Sequence, residues 1–108
     1  MLSKIKMGVI SLDSSNFEKE VLNYEGTVIV DFFATWCNPC RMQSPIIDEI
    51  AKEKDGIIKV CKLDVDNATE WAEKYDVMSI PTIIIFNKGN VVNQFVGLTS
   101  KEEIEEKL

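Results

Sequence analysis

Residues 27–34, TVIVDFFA, limit the possible folds more than any other stretch of the chain. The run is apolar on both faces of a period-two pattern and rich in β-branched and aromatic residues, so as a strand it needs cover on both sides. Helices reached by crossover connections supply such cover, which predicts an α/β layered fold with this strand at its centre. Val9 to Leu12 reads as a short strand, and Ser15 with Glu18 has capping-box spacing at the start of a short helix bearing Phe17, Val21 and Leu22. Downstream of Trp36, the apolar residues Met42, Ile46, Ile47 and Ile50 have helical offsets; that helix should end near Gly56 and kink at Pro45. Residues 57–65 form another mostly apolar strand, and Asn67 with Glu70 opens a helix carrying Trp71, Ala72 and Tyr75. Residues 82–87 and 91–96 flank Lys88-Gly89 as a hairpin, and Ser100 with Glu103 caps a last helix with Ile104 and Leu108 one turn apart. The order β-α-β-α-β-α-β-β-α predicts a mainly parallel sheet with helices on both faces and an antiparallel hairpin at one edge.

The 108 residues contain no repeat, low-complexity tract or linker, so one domain over residues 1–108 is expected. Twelve basic against eighteen acidic residues leave a net charge of -6, which repels a phosphate backbone or an anionic bilayer; neither nucleic acid nor membrane is an expected partner. Histidine is absent, which excludes serine-histidine and cysteine-histidine pairs, histidine metal ligands and a histidine pH switch. Proton transfer near neutral pH must then fall to a thiol, a perturbed carboxylate or a perturbed lysine. No signal peptide is readable in MLSKIKMGVISLD, whose apolar character is broken by Gly8, Ser11 and Asp13, and no apolar run approaches the roughly 20 residues that span a bilayer. Three cysteines are too few for a disulfide framework or an all-cysteine zinc site, so the expectation is a metal-free protein of the reducing cytoplasm.

The chemistry concentrates in Cys37-Asn38-Pro39-Cys40, where the central strand hands over to a helix. Cysteines three apart at this position lie within disulfide reach on one helix face. Cys37 stands where unpaired amides and the helix dipole favour a thiolate, and Pro39 fits a first turn that needs no donor from it. A thiolate of lowered pKa attacks a disulfide, and the second thiol resolves the mixed disulfide intramolecularly. As a structural staple the pair is poor, since a four-residue loop supplies only about 2 kcal/mol against about 3 for fifteen residues. As half of a zinc site it lacks a second pair, only Cys61 remaining. The same residues leave two questions open. Asp31 can face solvent at a sheet edge or lie buried, and the Ile80-Pro81 bond, taken alone, is expected to be trans.

The segments VDFFATWCNPCR, KLDVD and SIPT, with the Gly97 region, resemble the thioredoxin family from Val9 to Leu108. The resemblance implies a five-stranded mixed sheet flanked by four helices, working as a monomeric, general protein-disulfide reductase with Cys37 as nucleophile and Cys40 as resolving thiol. It implies no bound cofactor beyond the Cys37-Cys40 redox disulfide, and partners that are disulfide-containing client proteins and a thioredoxin reductase, usually drawing on NADPH. It further implies that Asp31 is buried beneath the cysteines with a raised pKa as proton acceptor for Cys40, with Lys62 as its neighbour. Pro81 would be cis and face the cysteines, with the Ile80 backbone pairing an extended substrate. Trp36, Val65, Val96 and Gly97 match the family's apolar docking rim, and Asn38 and Pro39 lie in the same substrate-binding surface. Trp71, Tyr75 and Cys61 read as packing residues. Three positions depart from the pattern: Asn38 and Ser79 stand where glycine is usual, and Phe33 where tryptophan is commoner. A non-enzymatic subunit that docks a partner through the same surface is the competing expectation.

Overall fold

The computed structural model describes residues 8–108. Residues 1–7, which hold most of the stretch read for a targeting signal and the start of the expected domain, lie outside them. Five strands, β1 Val9–Leu12, β2 Thr27–Phe33, β3 Lys59–Asp64, β4 Thr82–Asn87 and β5 Asn90–Val96, form one sheet in the order β1-β3-β2-β4-β5. The π-helical segment Glu18–Leu22 and three α-helices, α1 Asn38–Glu53, α2 Thr69–Lys74 and α3 Lys101–Glu105, complete the expected four helices. β2 is central, parallel to β3 and antiparallel to β4, and the β4–β5 hairpin is antiparallel too, so two of the four pairings are antiparallel and the sheet is mixed, not mainly parallel as the element order alone predicts.

The double-sided apolar pattern of β2 is used on both faces. Val28, Val30 and Phe32 point into a core with Phe17, Val21, Leu63 and Phe86. Ile29 points the other way, into a core built with Ile47 and Ile50 of α1, Ile83, Ile85 and Ile104. By strand alternation Asp31 shares the Ile29 face and so lies on the side covered by α1. Phe17 stacks on Trp71 at 4.3 Å between ring centroids, and Tyr75 meets Phe86 edge-on at 5.3 Å, so both helix aromatics are packing residues.

Several local expectations are corrected. Ser15 and Glu18 do not form a capping box, because the nearer carboxylate of Asp13 accepts from Ser15 N at 2.8 Å, Ser15 Oγ at 2.7 Å and Asn16 N at 3.0 Å. The helix that follows closes with a wide turn, Asn23 N donating to Glu18 O at 2.9 Å. Asn67 does not cap α2 with its side chain but reaches Asp64 Oδ2 at 3.4 Å. β3 starts at Lys59, which leaves Ile57 exposed ahead of it. α1 passes through Pro45 and stops at Glu53, and the inner face of the helix is set by Gln43, Ile47 and Ile50 at offsets of four and seven. Met42, expected inside, is 62% exposed. The last capping box is present: Glu103 N donates to Ser100 Oγ at 3.1 Å and Ser100 N to Glu103 Oε1 at 3.2 Å. Leu108 lies beyond the end of α3 and is exposed.

Candidate active site

β2 ends at Phe33, and the turn after it delivers Cys37 as N-cap of α1 in an extended conformation. Cys40 N donates to Cys37 Sγ at 3.2 Å, so one of the helix's unpaired amides is satisfied by the sulfur itself. The two cysteines are disulfide-bonded, with their Cα atoms 5.2 Å apart. Pro39 sits in the first turn, where its missing donor is not needed. Asn38 and Pro39 are exposed. Residue exposure does not separate the cysteines as expected of a single accessible nucleophile: Cys37 is 5% and Cys40 4% exposed, both packed with Ala34 against Phe33, Val65 and Ile80. Any asymmetry therefore comes from the N-cap position and its dipole.

The Ile80-Pro81 bond is cis, and Ile80 O lies 3.8 Å from Cys37 Sγ. With the sulfur bonded to Cys40 this is a contact, not a hydrogen bond. Gly97 N donates to Pro81 O at 2.8 Å, placing the segment after β5 beside the cis bond. Val96 pairs with Thr82 and is exposed, and Val65, half-buried, donates its amide to Phe33 O at 2.8 Å. The Trp36 indole is exposed and donates to Asp66 Oδ2 at 2.9 Å. Val65 and Ile80 thus pack against the cysteines, Trp36 precedes Cys37 in the chain, and Gly97, with Val96 next to it, is bonded to Pro81.

Asp31 is 4% exposed in the central strand, opposite Lys62 of β3 and Ile83 of β4, which removes the solvent-facing alternative. Its Oδ1 is buried with no hydrogen-bond partner among the described residues. Burial pushes its pKa up from 3.8 to about 7; Lys62 pulls against the rise and Asp48 of α1 adds to it. Such a carboxyl can exchange a proton near neutral pH. Cys61 is buried in the opposite core, and burial pushes its thiol up to about 12, so it stays protonated and inert. A cavity of about 230 Å³ lined by Phe33, Ala34, Thr35, Cys40, Arg41 and Ser44 opens beside Cys40. A second cavity, about 270 Å³, lies between the start of β1 and Asp48, Ala51 and Lys52 of α1, away from the disulfide.

Residues the sequence reading did not single out also shape the site. Arg41 Nη1 donates to Asn38 Oδ1 at 2.9 Å and Nη2 to Thr35 O at 3.0 Å, so the asparagine between the cysteines ties the flanking turn to the helix. The i,i+3 spacing of Asn38 and Arg41 was the available signal. Asp48 and Asp66 carried none, since each acts across a tertiary contact. Among the described residues no group of three or more cysteines, aspartates or glutamates is placed to hold a metal, and no helix is long and apolar enough to cross a membrane.

A dithiol at the start of a helix, a cis-proline against it and a protonatable carboxyl in the strand beneath that helix define a thiol-disulfide oxidoreductase. The sequence model of one protein family, described as Thioredoxin, matches residues 8–108. The chain is 41% identical over 96 residues to the thioredoxin of Pseudomonas aeruginosa, 89% of each chain. To that of Staphylococcus haemolyticus it is 42% identical over 102 residues, 94% of this chain and 96% of the other. The chain belongs to the thioredoxin family, whose members are protein-disulfide oxidoreductases.

Proposed function

We propose that this protein reduces disulfides of client proteins, with Cys37 as nucleophile and Cys40 as resolving thiol. The observation that carries the reading is Cys37 at the N-cap of α1, its sulfur already accepting the Cys40 amide and already joined to Cys40. In the reduced protein the Cys37 thiolate attacks a client disulfide; the Cys37–client bond forms as the client S–S bond breaks, and the first client thiolate leaves. Cys40 gives its proton to the Asp31 carboxylate and attacks Cys37 Sγ, and the second client thiolate leaves. The client gains two electrons and takes up two protons, and the chain ends in the disulfide form. Lys62 limits how far the Asp31 pKa rises.

Client recognition falls to the rim. An extended client segment pairs with the backbone at Ile80, ahead of Pro81, while Trp36, Val65, Val96 and Gly97 supply apolar contact and Asn38 and Pro39 border the reacting sulfurs. The electrons return from a thioredoxin reductase, and no bound cofactor is needed beyond the Cys37-Cys40 pair. We place the protein in the cytoplasm as a single-domain monomer; three cysteines, too few for a disulfide framework, fit a reducing compartment. The test is reductase-coupled turnover of insulin disulfides. Turnover that disappears in Cys37→Ser supports the reading. Biological activity retained in full by both Cys37→Ser and Cys40→Ser would mark a binding subunit instead.

A further inference from the structure

Gln43 is completely buried on the inner face of α1, in line with Ile47 and Ile50. Both ends of its amide are used on one backbone unit: Nε2 donates to Thr99 O at 3.0 Å, and Oε1 accepts from Thr99 N at 2.8 Å. The side chain thus copies the pairing of a neighbouring strand. A position that only filled the core would be better served by leucine, because a buried amide contributes little net stability and is costly when a partner is lost. What the amide adds is a fixed register between two elements.

The segment it fixes borders the dithiol. Thr99 Oγ1 donates to Gly97 O at 2.9 Å, Gly97 N donates to Pro81 O at 2.8 Å, and Ile80 O lies 3.8 Å from Cys37 Sγ. On the other side, Gln43 is three residues beyond Cys40 on the same helix. Residues 97–99 are therefore clamped between the helix that carries the cysteines and the cis-proline. Gly97 has φ of +90°, and a Cβ there would meet nothing within 4 Å, so a bare stretch of backbone is held open beside the cis-proline.

We propose that Gln43 is a positioning residue for client proteins: it holds residues 97–99 at the height above the disulfide at which a client backbone docks. This rests on the reductase reading and adds to it a specificity for extended polypeptide over small disulfides. The test compares wild type and Gln43→Leu, each reduced beforehand, on insulin and on dithiodipyridine, a disulfide with no polypeptide backbone to dock on the 97–99 segment. For Gln43→Leu the insulin concentration at half-maximal rate should rise about tenfold, with the maximal rate and the dithiodipyridine rate changed less than twofold. Equal losses on both disulfides, or no loss on either, would overturn the proposal while leaving the reductase reading standing. A wild type inert toward both would sink the reductase reading itself. Gln43→Met, whose flexible side chain fills a similar volume, carries the test should Gln43→Leu not fold. If neither folds, the amide serves the fold as a whole and the narrower role is wrong. In wild type the Thr99 amide should exchange with deuterium at least about a hundredfold slower than a free-chain amide, and exchange at the free-chain rate would also overturn the proposal.

Discussion

At the scale of single residues, Asp31 carries the sharpest conflict between stability and chemistry. Its pKa is about 7 in the folded chain and about 3.9 unfolded, so between those values the native state holds a proton that the unfolded chain has released. Stability is therefore fully present below about pH 4, falls as pH rises to about 7, and levels off above. At about 1.4 kcal/mol per pH unit between the two values, ionisation costs the native state on the order of 4 kcal/mol. Asp31→Asn removes that penalty but brings amide N–H donors to a place where the carboxyl oxygen already finds no partner among the described residues, a loss of about 2 kcal/mol. The variant should be more stable than wild type by about 2 kcal/mol near pH 8, and its stability should no longer fall between pH 4 and 7. Denaturant titrations across that range check both. Release of the mixed disulfide should slow in the same variant. The cysteines make the second residue-scale case. Both are buried alike, so the N-cap position alone has to favour a thiolate at Cys37. Alkylation of the reduced protein at mildly acidic pH should modify Cys37 first, as mass spectrometry of the adduct would show; labelling that begins at Cys40 would reverse the roles.

Two glycines at the scale of elements show how similar backbone angles carry different costs. Gly89 turns the β4–β5 hairpin at φ +82°, and a Cβ there would come within 2.5 Å of Leu22 O, a backbone atom at the end of the π-helical segment. Gly97 has φ +90° but faces open space. Gly97→Ala should cost only the strain of its angle, about 1 kcal/mol, whereas Gly89→Ala adds a backbone clash and should cost more than about 2 kcal/mol. Thermal unfolding of the two variants side by side gives the comparison, and equal costs would contradict it. The hairpin turn and the Ser100–Glu103 cap were legible because both are encoded within a few residues. The Ser15–Glu18 spacing misleads for a related reason: the pattern is present, but Asp13 supplies a charged acceptor closer to the Ser15 amide and hydroxyl.

Across the whole molecule, the sheet separates two cores and the dithiol sits at one end of the helix that covers one of them. A disulfide closing a four-residue loop restricts the unfolded chain only slightly, by about 2 kcal/mol in the chain-entropy model. The oxidised protein should therefore unfold at higher denaturant concentration than the reduced one, by a margin corresponding to about 2 kcal/mol. Chemical unfolding with and without excess dithiol measures the difference. A reduced form of equal or greater stability would mean that native contacts around the thiols offset the loop term.

The sequence by itself determined the layered sheet, the central place of β2 and the dithiol at the start of α1, because strand alternation, helical period and C-x-x-C spacing are properties of neighbouring residues. It could not say which side chain of α1 faces inward at its second turn. Met42 is the more hydrophobic of the pair, yet Gln43 is inside because Thr99, 56 residues away, offers a donor and an acceptor together. Nor could it say whether Asp31 meets water. That was decided by α1 and by β3 and β4 closing on either side of β2, since desolvation depends on how many distant segments pack around a group and not on its neighbours along the chain.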